Sequence, residues 1–64
     1  MRYQQTSYHL TIEDAEKAKA AFLAYEEMRR SDPEARITPN IPLATSDGMR
    51  VTGFKLDGFH WGTE

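Results

Sequence analysis

Polar and apolar residues fall into three successive patterns along the chain, and each pattern predicts a different kind of element. Arg2 to Leu10 mixes Tyr, Thr, Gln, Ser and His, with β-favouring Tyr3, Thr6 and Tyr8 and no turn former inside, which predicts a strand. Thr11 to Arg30 is rich in Ala, Glu, Lys, Leu and Met and free of Gly and Pro, which predicts a long helix. Thr11 and Asp14 have capping-box spacing, so the helix should begin near Ile12. Glu13, Asp14 and Glu16 near its start and Arg29 and Arg30 near its end oppose the macrodipole. Ser31-Asp32-Pro33 closes the run, because a residue before proline avoids helical geometry. Projected at about 100° per residue, Ala15, Ala18, Ala21, Phe22, Tyr25 and Met28 share one side, expected to be buried. The other side carries Glu13, Glu16, Lys17, Lys19, Glu26, Glu27 and Arg30, with Leu23 and Ile12 as an apolar pair among them.

Beyond the helix the pattern turns to β-structure. Residues 31–36 fit either a single helical turn, capped by Asp32 with Pro33 first inside, or an irregular loop. Ile37 to Ala44 contains Pro39 and Pro42, so a strand there lies at a sheet edge or starts only after Pro42. Ser46-Asp47-Gly48 marks a turn, and Met49 to Leu56 alternates as a strand should. Gly53 breaks that alternation, and a bulge there would bring Met49, Val51, Phe54 and Leu56 onto one side. Asp57-Gly58 is a two-residue hairpin signal, with Phe59-His60-Trp61 pairing back as a short last strand. The expected architecture is therefore α+β, a single compact domain over residues 1–64. It places one long helix on a small antiparallel sheet in the order β-α-β-β-β.

At 64 residues the core must be thin, so a partner or self-association could add stability. The absence of cysteine excludes a disulfide framework and a thiolate metal site. No run approaches the length of a membrane span and the first residues lack a signal-type apolar core, which makes a cytoplasmic protein the expectation. The net charge of −2 counts against a free-standing nucleic-acid binder.

Candidate chemistry is sparse. His9 and His60 are the only imidazoles and could meet, near Asp57 or Glu64, if the first and last strands were neighbours. Their spacing matches no metal-ligand motif, and surface strand positions explain them better. Ser7, Ser31 and Ser46 sit in no nucleophile elbow, and the glycine spacing resembles no phosphate loop. No catalytic residue, metal ligand or cofactor site is therefore expected. Tyr3, Tyr8, Phe54, Phe59 and Trp61 could stack on single-stranded nucleic acid, using the strand face around Arg50 and Lys55 with Arg2 alongside, although core filling accounts for most of them. The carboxylates are the most informative group. Glu13, Glu16 and Glu27 line one side of the helix, with Asp32 and Glu34 following in the next segment. Gathered together, they could occupy a protein groove built for nucleic acid. Otherwise they form a solvated face stitched by Glu13–Lys17, Glu16–Lys19 and Glu26–Arg30 pairs, which the interleaved cations favour.

In overall character the chain resembles the small inhibitors encoded by phages and mobile elements, the anti-CRISPR proteins. It is very short, free of cysteine, a compact α+β domain, rich in surface carboxylates and without catalytic motifs. Those proteins share no motif, so no residue role is carried over. The resemblance implies a protein-binding inhibitor that blocks the DNA-recognition surface of a CRISPR effector complex, some members acting as DNA mimics. The partner would be a basic protein surface, with no direct nucleic-acid or membrane contact, and the chain a monomer or weak homodimer. Glu13, Glu16, Glu27, Asp32 and Glu34 would face that partner, with Leu23 as the apolar anchor among them.

Overall fold

A computed structural model describes residues 1–62. The elements run β1 (Arg2–His9), α1 (Ile12–Met28), β2 (Glu34–Ala44) and β3 (Arg50–Trp61). β3 lies between the other two strands, antiparallel to both, giving the order β1-β3-β2. The fold is thus one helix packed on a three-stranded antiparallel sheet, the α+β class that the pattern predicts.

The strand count is three because Asp57-Gly58 makes no turn. Asp57 faces Thr6 on one side and Arg36 on the other, and Gly58 faces Gln5 and Ala35, so both sit within the ladder. Phe59, His60 and Trp61 continue β3 instead of folding back. Gly58 serves helix packing, since a Cβ there would come within 2.8 Å of Phe22 Cζ.

The bulge also lies elsewhere than expected. Thr38 pairs with Lys55 and Ile41 with Gly53, so the extra residue belongs to β2, where Asn40 has a φ of 60°. Asparagine tolerates that left-handed geometry better than most residues. Since β3 runs unbulged, Val51 stays on the opposite face from Phe54 and Leu56. Pro39 and Pro42 both fall on β2, an edge strand, as their missing donors require. The helical-turn reading of residues 31–36 is not realised, because Glu34, Ala35 and Arg36 already belong to β2.

The helix begins as its cap predicts, with the Asp14 amide donating to Thr11 Oγ1 at 3.1 Å. It ends two residues early. Arg29 is the C-cap and Arg30 takes a φ of 55°. The Ser31 and Arg30 amides then donate to the Glu26 and Glu27 carbonyls at 3.1 and 3.0 Å, which is a Schellman closure. At seventeen residues α1 is about 25 Å long, and the eight residues of β1 span about 26 Å, so both cover the same stretch of sheet. β1 reaches only to Phe54, so β2 and β3 extend beyond as a two-stranded arm closed by the Thr45–Met49 turn. The arm accounts for the elongated shape, 41 × 20 × 17 Å.

The face that α1 buries is turned about a quarter turn from the expected one. Ala15 and Glu26 are buried and Ala18, Lys19, Phe22 and Leu23 half-buried, while Ala21, Tyr25 and Met28 are exposed. Against this stripe β3 offers buried Leu56, Gly58 and His60. The apolar core is small. Ala15 and Leu56 are the buried apolar side chains among the described residues.

Candidate functional site

Three features could carry function: the outer side of α1, a polar knot beneath its C-terminal end, and the sheet face turned away from the helix.

On the outer side, Glu13, Glu16 and Glu27 are all exposed at spacings that align them along the helix. Among the described residues none is ion-paired, and the expected Glu13–Lys17, Glu16–Lys19 and Glu26–Arg30 pairs do not form. The line extends about 21 Å from Glu13 to Glu27 at 1.5 Å per residue. Exposed Ala20, Ala24 and Met28 border it, with Met28 83% accessible. Leu23 does not stand among these acids. It is half-buried on the sheet-facing stripe beside Phe22, so the apolar groups exposed near the acids are Met28 and Ile12, the latter one turn before Glu16. Asp32 is exposed in the loop after the helix with a φ of 51°. Glu34 opens β2 and meets the Arg2 guanidinium at 3.5 Å, so part of its charge is balanced. The helix line and Asp32 are the part of the predicted set without an ion pair among the described residues.

Beneath the end of α1, Glu26 is 2% exposed, with Ser31 and His60 buried beside it. Ser31 Oγ donates to Glu26 Oε1 at 2.9 Å and lies 3.0 Å from the Glu26 carbonyl oxygen. Arg29 reaches the other carboxylate oxygen at 3.7 Å. His60 Nδ1 lies 3.4 Å from Glu26 Oε1 but off the line of a hydrogen bond, leaving that nitrogen without one. The His60 ring stacks on Tyr3 at 5.4 Å and meets Phe22 edge-on at 6.2 Å. The Ser31 carbonyl accepts from the Trp61 amide at 2.8 Å, tying the helix exit to β3. The serine hydroxyl points at the carboxylate and not at the imidazole, so the trio lacks the serine-to-base contact that nucleophilic catalysis needs. It is a joint between helix and sheet. Sequence reasoning missed Glu26 because the expected face was centred on Phe22 and Tyr25; centring it on the adjacent Phe22 and Leu23 brings Glu26 inside.

The first and last strands are neighbours, yet the histidines do not meet. His60 sits opposite Tyr3 and His9 opposite Phe54, with His9 Nε2 2.8 Å from Ser7 Oγ. Glu64 lies outside the described residues. Among the described residues no three His, Asp or Glu side chains gather as a metal site would require.

The sheet face away from α1 carries Arg2, Gln4, Thr6 and Tyr8 of β1, Lys55, Asp57, Phe59 and Trp61 of β3, and Glu34, Arg36 and Thr38 of β2. Asp57 organises it, accepting from Thr6 Oγ1 at 2.9 Å and Gln4 Nε2 at 3.3 Å, with Lys55 Nζ at 3.8 Å. The Arg2 guanidinium covers the Phe59 ring at 4.4 Å. Arg50 and Lys55, an odd number of residues apart on an unbulged strand, point to opposite faces and do not form the single basic patch envisaged.

Two hollows flank β1 on the helix side. One, of about 190 Å³, is lined by Gln5, Thr6, Ser7, Ala18, Phe22, Leu56 and Gly58; the other, of about 370 Å³, by Tyr3, Gln4, Gln5, Arg29, His60 and Gly62. Among the described residues no helix is long and apolar enough to cross a membrane. Comparison with protein-family models, curated proteins and solved structures found no match to this chain.

Proposed function

We propose that this chain is a small protein-binding inhibitor of the anti-CRISPR kind, acting in the cytoplasm of a host cell and making or breaking no bond. Its outer helix side would cover a basic, DNA-recognising surface of an effector subunit, the carboxylates standing where backbone phosphates would lie. The supporting observation is the line of Glu13, Glu16 and Glu27, exposed and free of ion pairs among the described residues. A carboxylate without an internal cation keeps its full attraction for an external one. Met28 and Ile12 supply adjoining apolar contact in the role first expected of Leu23, and Asp32 adds an exposed carboxylate in the loop after the helix. Reversing Glu13, Glu16 and Glu27 together to Lys should reduce capture of a CRISPR effector subunit at least about tenfold, mostly through slower association. The circular dichroism of the domain should be unchanged. Undiminished capture by the folded triple variant would refute this surface.

A second reading, a nucleic-acid-binding regulator, draws on Tyr8, Trp61 and Arg36, all exposed on the sheet face away from the helix. It ranks lower because Arg2 and Lys55 already have acidic partners there. A gel shift on single-stranded oligonucleotides that weakens steeply with salt would reverse the ranking.

A further inference from the structure

We propose that two copies of this chain associate through β1, pairing these strands antiparallel about a twofold axis at Gln5 to make one continuous six-stranded sheet. This surface is separate from the acidic line on α1.

Both outer strands of the sheet are edges, but only one is defended. β2 carries Pro39, Pro42 and the bulge at Asn40, features that discourage a further strand from joining. β1 keeps eight consecutive residues in register with β3 without a bulge, has no proline, and is uncharged through Gln4-Gln5-Thr6-Ser7. An edge of that kind is a template for pairing.

The register follows from the hydrogen bonds. The Gly62 amide donates to the Met1 carbonyl at 2.8 Å, and the Met1 amino group to the Gly62 carbonyl at 3.3 Å, so this rung is of the hydrogen-bonded type. Rungs alternate in an antiparallel pair. Tyr3, Gln5, Ser7 and His9 therefore turn their backbone groups toward β3, while Arg2, Gln4, Thr6 and Tyr8 turn theirs outward. A second β1 can bond only where outward residues face outward residues. Pairing Arg2 with Tyr8 and Gln4 with Thr6 engages all four on each copy, and Gln5 then meets Gln5 at the axis. The same parity places both helices on one side of the joined sheet.

The surface suits a second copy in particular. The one charge on β1, Arg2, falls opposite Tyr8 and never opposite itself, so the twofold brings no like charges together. On the helix side Tyr3 meets Ser7. The two hollows beside β1 open on this side, and the second copy's β1 would extend their floor. With Ala15 and Leu56 as the buried apolar side chains among the described residues, the domain gains from such an extension.

Sedimentation equilibrium of the whole chain from low micromolar to millimolar concentration should show a monomer–dimer equilibrium. Gln5→Lys and Gln5→Glu should each weaken it about fivefold by setting like charges face to face at the axis, while their mixture should form a heterodimer tighter than either alone. Gln5→Cys should oxidise to a linked dimer, since Cα atoms of a non-hydrogen-bonded rung lie about 4.5 Å apart, within disulfide reach. Gln4→Cys, facing Thr6, should not. A wild-type chain that stays monomeric throughout, a mixture that fails to associate preferentially, or equal crosslinking by Gln4→Cys would overturn the proposal.

Discussion

At the scale of single residues, Glu26 has the most demanding environment. A carboxylate so deeply buried needs donors, and Ser31 supplies the closest, at 2.9 Å. Removing that hydroxyl leaves the acid with Arg29 at 3.7 Å and an unaligned His60. Ser31→Ala should therefore cost about 1.5–3 kcal/mol, the range for a hydrogen bond to a charged group. The cost should shrink when Glu26→Gln is already present, because a neutral amide demands less of its surroundings. A double-mutant cycle in urea measures both numbers, and additive losses would show that the two residues act independently. None of this was readable beforehand. Glu26 sits among charged neighbours in sequence, and only the packing of Phe22 and Leu23 turns it inward.

At the scale of elements, the turns and caps were the most legible parts, because their chemistry is local. Thr11 caps the helix as its spacing with Asp14 indicates, and Ser46-Asp47-Gly48 lies in the turn between β2 and β3. In that turn the Gly48 amide donates to the Thr45 carbonyl at 3.0 Å, and Gly48 takes a φ of 87°. The Asp47 carboxyl is held below its ordinary value of 3.8, first by the Thr45 hydroxyl and then by the Met49 amide. A group with a depressed folded-state pKa binds fewer protons when folded than when unfolded. Its stabilisation is complete above the unfolded value and disappears as pH falls through the folded one. Wild type should therefore lose more stability than Asp47→Asn between about pH 5 and pH 2. Urea midpoints at several pH values make the comparison, and parallel curves would show that Asp47 contributes nothing to acid sensitivity.

At the scale of the whole molecule, one helix on an antiparallel sheet was legible from the order of the patterns, and the strand count was not. Asp57-Gly58 has the local chemistry of a hairpin, but a turn there would break the continuous pairing of β1 with β3 from Arg2 to His9 and would strip Asp57 of Gln4 and Thr6. Long-range pairing outweighs the local preference, and the glycine answers a different demand. It lets the Phe22 ring settle against the middle of β3, which sets how close α1 comes to the sheet. Gly58→Ala should accordingly push the helix outward and destabilise the domain by about 1–3 kcal/mol, the usual cost of overpacking. Adding Phe22→Leu, which clears space above the new methyl, should return part of that loss. If Gly58 were instead needed for backbone freedom, Phe22→Leu would return nothing. Thermal unfolding of the two single variants and the double variant therefore decides whether helix docking or backbone geometry fixes this residue.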